Sequence, residues 1–369
     1  MSGLLKIKID AGNHERNHCP VSIIINRDLV EDIPRSVCLV DGEGNRIPAQ
    51  ISVENENYQL HFIIDRLSKQ EQKVFQLHSE ESSPSNVEIV EKDRQLDINV
   101  DGNYFTTYVY DREIAKPYLG PIAGPYESSY TRLDFETKEH PHHRSLWLAI
   151  GDVNGIDMWN EPEGRYGKQL HQEFSQIASG PVNAVIVAKN VWTDYNERPQ
   201  IDETRKITIY NTPATNRFID LDVTFTANYG KVEFGATKEA GPLGIRVAES
   251  MKVDSGGSMV NAYGSVGEEE CWGQRAEWCD YVGEVEGKTL GISAFDHPRN
   301  EHFPTYWHIR NYGLLAPNNF YFIGGNLIQP GEKVNYKYRV YFHAGDTDEA
   351  NVGEHYQNYI NPPKVEILS

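Results

Sequence analysis

Three imidazoles crowd into the run His140-Pro141-His142-His143, and Arg144 follows directly. A neutral imidazole can act as a metal ligand or general base near pH 7, and a protonated one as a general acid. Read as an extended segment, the run sends His140 and His142 to one face and His143 to the other. The first pair is then set to flank one substrate or one metal ion. With Lys116, Arg132 and Arg144 the imidazoles form a polar surface suited to a polyhydroxylated or anionic ligand, embedded among Tyr118, Trp147 and Trp159. The next segment, GDVNGID, carries Asp152, Asn154 and Asp157. It lacks the ligand pattern of an EF-hand loop and reads as an Asx-type turn joining two strands.

Two further segments carry chemistry. In GPLGIRVAESM, Arg246 is a ligand-binding candidate, and Glu249 is a candidate acid/base carboxylate whose apolar surroundings would raise its pKa. The third runs from CWGQRAEWC to YWHIRNYG and combines the rings of Trp272, Tyr306 and Trp307 with the polar heads of Arg275, Asp296, His297, His308 and Arg310. Sugar rings need this combination of flat apolar platforms and planar hydrogen-bonding groups. On a strand, His308 and Arg310 share one face and Trp307 takes the other. The chain contains no GxSxG elbow, P-loop, GxGxxG or HExxH, so neither a serine nucleophile nor a nucleotide cofactor has support.

The elements that must position these residues read as strands. YQLHFII, NAVIVAKNVWT, RKITIYN, RFIDLDVTFTAN and VNYKYRVYFHAG alternate or run apolar over strand lengths, with turn residues between them. An all-β sandwich follows. The polar run SEESSPSN at 79–86 separates a small β unit at 1–80 from a larger ligand-bearing unit at 87–369. A short C-terminal helix is predicted in TDEANVGEHYQNYINPP, capped by Thr347, with Val352, Tyr356 and Tyr359 on one face. The chain has 35 Lys+Arg against 54 Asp+Glu, a net charge of −19, which argues against nucleic acid and against anionic membranes as partners. No apolar run of ~18 residues occurs. Cys19, Cys38, Cys271 and Cys279 are too widely spaced for a CxxC site, and reduced thiols fit a cytoplasmic location.

The strings HPHHRSLWLAIGDVNGIDMW, LGIRVAESM, WGQRAEWCDYVG, GISAFDHPRN and YWHIRNYGLLAPNNF resemble a bacterial family of uncharacterised proteins often labelled methane oxygenase PmoA. The resemblance runs from about residue 100 to 347. The methane-oxidising subunit of that name is an integral membrane protein, so the label does not suit a chain without an apolar span. The resemblance implies a galactose-mutarotase-like β-supersandwich, with the ligand on a sheet face between a His acid and a Glu or second His as base. Here His142, His143, His308 and Glu249 are the candidates for catalysis. Lys116, Tyr118, Arg144, Trp147, Arg246, His297, Trp307 and Arg310 are the candidates for binding a small-molecule sugar, with Trp147 and Trp307 as stacking platforms. The expected activity is acid/base chemistry on a sugar or oxidised sugar without a cofactor. One alternative is a divalent metal on His140 and His142 with Glu249 or Asp296; another is a non-catalytic sugar-binding module.

Overall fold

The structure, a computed structural model, describes every residue except 1–4, 28–33, 35, 55, 82, 133–138, 240 and 369. The fold is all-β, as expected. Two eight-stranded antiparallel sheets and a smaller four-stranded one form the larger unit. One runs from the edge strand Tyr306–Arg310 through Leu314–Asn318, Leu243–Arg246, Leu146–Leu148 and Tyr118–Leu119 to Val87–Lys92. The other holds the long strands Lys168–Ala178, Asn183–Thr193, Pro199–Tyr210, Asn216–Thr226 and Lys333–Ala344. Inward side chains of both sheets, among them Leu146, Leu148, Ile245, Ile309, Ile207, Leu221 and Val340, make one shared core.

The period-two alternation of strands decides what the outer face of the first sheet carries. Leu146 and Leu148 point into the shared core, whereas Trp147 and Ala149 join Trp159, Leu314 and Ala316 in a separate cluster on the opposite side. Ile245 points inward and Arg246 outward. Trp307 and Ile309 likewise face the core, and His308 and Arg310 take the other face. Gly244 permits the outer layer to close: a Cβ there would lie 2.8 Å from the Trp147 ring and 2.8 Å from the Ala149 Cβ. Asp152–Val153 and Ile156–Asp157 form a hairpin around Asn154 (φ 56°) and Gly155 (φ 77°), with the Gly155 N–H bonded to Asp152 Oδ1. This is the tight Asx turn expected for GDVNGID.

The first unit is a seven-stranded sheet with a core of its own, including Ile7, Ile9, Leu39, Leu60 and Phe62. Its last strand departs from the expected division. Lys364–Leu368 pairs antiparallel with Leu5–Asp10, so the chain's end returns to the N-terminal sheet. Residues 80–86 carry no regular strand or helix where they are described, and Ser82 lies outside the described residues. The C-terminal helix spans Val352–Ile360, with Val352 and Tyr356 buried. Its N-cap is Asn351, not Thr347, whose hydroxyl instead donates to Asp280 at 2.6 Å. All four cysteines are free and buried. Among the described residues no helix is long and apolar enough to cross a membrane.

Candidate functional site

The imidazole run is not a strand. The backbone turns at Pro141-His142, and the His143 N–H closes the turn onto the His140 carbonyl at 3.0 Å. His140 takes a left-handed conformation (φ 48°). Buried Arg132 fixes the approach to the turn, donating to the Glu139 and His140 carbonyls at 2.7 and 3.1 Å. The expected split of the imidazoles across two faces is therefore corrected: all three converge. His140 stacks on His143 with ring centroids 4.8 Å apart, and His142 meets His143 edge-on at 4.7 Å. Proline within the run and the left-handed residue before it rule out an extended ribbon.

The outer sheet face supplies the rest. Fully buried Arg246 donates to His143 Nδ1 at 3.1 Å and to Glu139 Oε1 at 2.9 Å. Because a guanidinium can only donate, His143 Nδ1 is an acceptor and its proton resides on Nε2. Lys252 closes the network on Glu139 Oε2 at 2.7 Å. Burial pushes the Glu139 carboxyl up, but the Lys252 hydrogen bond and the Arg246 charge outweigh it and hold it at about 2. Tyr312 stacks on His140 at 4.5 Å and lies beneath the guanidinium groups of Arg246 and Arg310. Trp159 forms the opposite wall, with His142 at 6.5 Å, His143 at 5.2 Å and His308 at 6.4 Å from its ring centre. His308 thus shares Trp159 as a neighbour with His142 and His143.

Every imidazole in this group is held neutral. Burial, then the charges of Lys116 and Arg144, push His142 down to about 3. His308 falls to about 3 through burial, Arg310 and Lys238. Burial, His142 and Arg246 take His143 far below the usual histidine range. His142 Nε2 and His308 Nδ1 are buried atoms without a hydrogen-bond partner among the described residues.

Other expected site residues do different work. The Lys116 ammonium donates to the Met158 and Trp159 carbonyls at 3.3 and 3.0 Å and pairs with Glu161 at 3.0 Å. Its three N–H groups are occupied, so it anchors the Trp159 loop instead of holding ligand. Arg144 braces the same loop, bound to Glu161 and to the Pro141 carbonyl. Trp147 and Trp307 are each 1 % exposed and present no open ring face, which corrects their reading as platforms. Trp307 donates to the Ala276 carbonyl inside the shared core. Tyr118 packs against the Trp147 cluster on the neighbouring strand. Glu249 is corrected as well: it sits in a short turn, 72 % exposed and paired with Lys252, and not in apolar surroundings. His297 lies elsewhere, in a cleft with His61, Lys337 and Tyr359 between the two units. Arg310 does reach the site, paired through Nε with Glu268 at 3.1 Å.

Neither carboxylate of the metal alternative stands beside His140 and His142. Glu249 points to solvent, and Asp296 is bound to Asn300 and the Thr305 N–H deep in the second sheet, its carboxyl pushed up by burial to about 7. Among the described residues no group of three or more His, Cys, Asp or Glu is placed to hold a metal ion. Sequence reasoning missed Glu139, Lys252 and Tyr312. Glu139 stands directly before the imidazole run and Tyr312 two residues after Arg310, so adjacency was the available signal.

Residues 95–357 match a family described as a family of unknown function, DUF6807. The chain belongs to this family. The matched stretch of this DUF6807 protein contains the whole imidazole cluster and the outer sheet face that carries it. No curated protein matches the chain. Among solved structures it is similar to a protein in glycosyl hydrolase family 38 from Enterococcus faecalis, at 9% identity and TM-score 0.44, over 99% of this chain and 47% of that one. It is also similar to an alpha-mannosidase from E. faecalis V583, at 8% identity and TM-score 0.44, over 99% and 46%. The chain therefore spans about half the length of these two proteins. A galactose 1-epimerase from Lactobacillus acidophilus NCFM is similar at 8% identity and TM-score 0.29, over 72% of this chain and all of that one.

Proposed function

We propose that this protein is a carbohydrate-processing enzyme in which His142 and His308 exchange protons with a sugar or oxidised sugar. Epimerisation, β-elimination and hydrolysis are the reactions within reach of such groups. The reading rests on one observation: His142 Nε2 and His308 Nδ1, in rings 6.5 and 6.4 Å from the Trp159 ring centre, are buried nitrogens without a partner among the described residues. Buried polar atoms are nearly always hydrogen-bonded, and a ligand hydroxyl placed between these nitrogens would complete both. A hydroxyl-rich molecule supplies donors and acceptors to both. A neutral imidazole can take a proton from a reacting O–H or C–H group and return it in a later step. His143, locked by Arg246 with its proton on Nε2, is a fixed donor for negative charge that develops beside it. Arg310, at the edge of the cluster, holds ligand oxygens.

Proton NMR of the protein with free sugars, glycosides and 3-keto-glycosides tests the reading. Conversion of at least one substrate is expected, with a loss of about 100-fold or more in His308→Ala and in His142→Ala. His297→Ala, remote from the cluster, keeps the wild-type rate. Equal rates in all three variants would refute the assignment.

A further inference from the structure

The rings expected to stack on sugar are buried, but a different aromatic surface lies open beside the cluster. Tyr306, His308 and Arg310 share the outer face of one edge strand, because Trp307 and Ile309 point into the core. Tyr306 carries the Phe322 ring at 4.5 Å and 31°, and Phe322 meets Trp272 edge-on at 5.7 Å. Phe322 is 41 % exposed. Its ring crosses Gly273, where a Cβ would come within 2.8 Å of it, and Gly273 itself takes a left-handed conformation (φ 68°). The backbone is thus shaped to let the ring lie flat across it. The Arg275 guanidinium stands 5.4 Å over the Tyr306 ring and braces the neighbouring loop, donating to the Pro304 and His302 carbonyls at 2.7 Å each. The indole Nε1–H of Trp272 is buried and has no acceptor among the described residues. Large apolar side chains grouped at a surface mark a contact surface for something else, and an unmatched indole donor beside them asks for an oxygen.

We propose that Tyr306, Phe322 and Trp272 form a second sugar subsite, so that the substrate is a glycoside of at least two rings. One ring lies at the imidazoles and its neighbour packs its C–H face on Phe322 and Tyr306, with a hydroxyl accepting from Trp272 Nε1–H. This rests on the reading of the imidazole cluster as a sugar site. Two points argue for this occupant over a protein partner. The aromatic surface continues along the strand that carries His308: Tyr306 and His308 are two residues apart, roughly 7 Å along a strand, a distance suited to adjoining sugar rings. The combination of flat rings and an unmatched indole donor also suits a polyhydroxylated ring.

Tryptophan fluorescence titrations with glucose, galactose, maltose, cellobiose and lactose, run beside turnover of the same sugars, test the proposal. At least one disaccharide should bind more tightly than either monosaccharide. Phe322→Ala, at an exposed position that leaves the core intact, should weaken that disaccharide about tenfold while changing monosaccharide binding by less than about twofold. Trp272→Phe, which keeps the ring and removes the N–H, should also weaken the disaccharide. If monosaccharides are bound or converted as well as disaccharides, and Phe322→Ala changes neither, the subsite is refuted while the imidazole site stands. If no sugar binds and none is converted, both fall.

Discussion

Arg246 determines what its neighbours can do. It fixes the tautomer of His143 and, with Lys252, keeps Glu139 ionised. The Glu139 carboxyl titrates at about 2 instead of its ordinary 4.5. Its folded pKa is depressed, so its contribution to stability is present above pH 4.5 and is lost as pH falls through about 2. Glu139 is 38 % exposed, and solvent screening reduces the contribution to about 1–2 kcal/mol. Glu139→Gln should therefore unfold at lower urea than wild type at pH 7, with the gap narrowing between pH 4.5 and about 2. A gap that stays constant over that range contradicts the ion-pair account. Glu139 was not singled out from sequence because its role depends on Arg246 and Lys252, which are more than a hundred residues away in the chain. The imidazoles were legible from their spacing. Their convergence was not, since it depends on a turn held by Arg132.

At the scale of elements, the site depends on a sheet whose outer face is closed by large rings. The strands were readable from their alternation, and the opposite orientations of Trp307 and His308 followed directly from it. Which of the two faces lies open could not be read this way. Alternation assigns sides, but burial depends on what another segment lays over them. Here the Trp159 loop, tied down by Lys116 and Arg144 through Glu161, covers Trp147. The same two cations were expected at the ligand because a charge near an aromatic looks alike in sequence whether it binds substrate or a loop. Gly244 is the close approach on which this layer depends. Gly244→Ala places a methyl 2.8 Å from the Trp147 ring and the Ala149 Cβ, an overpacking that costs about 1–3 kcal/mol. Urea denaturation should show a matching fall in midpoint with unchanged slope, and an unaltered midpoint would refute the packing.

The whole molecule is strongly acidic, at −19, yet it surrounds its imidazole cluster with Lys116, Arg144, Arg246 and Arg310. Those charges and burial together keep His142, His143 and His308 neutral. The chain's end, returning to pair with the first strand, joins the small unit to the large one. The sequence offered no sign of this, because a strand of five residues at a terminus has no turn partner to betray its pairing.

Heteronuclear NMR of the histidine ring nitrogens, recorded across pH and then with added sugar, tests the central claim most directly. His142 and His308 are predicted to show neutral-imidazole signals without titration between about pH 5 and 8. On addition of a disaccharide that binds, His142 Nε2 and His308 Nδ1 should shift while the His297 nitrogens stay in place. Ordinary titration of His142 and His308 near 6.5, their common unperturbed value, or shifts confined to His297, would contradict the account.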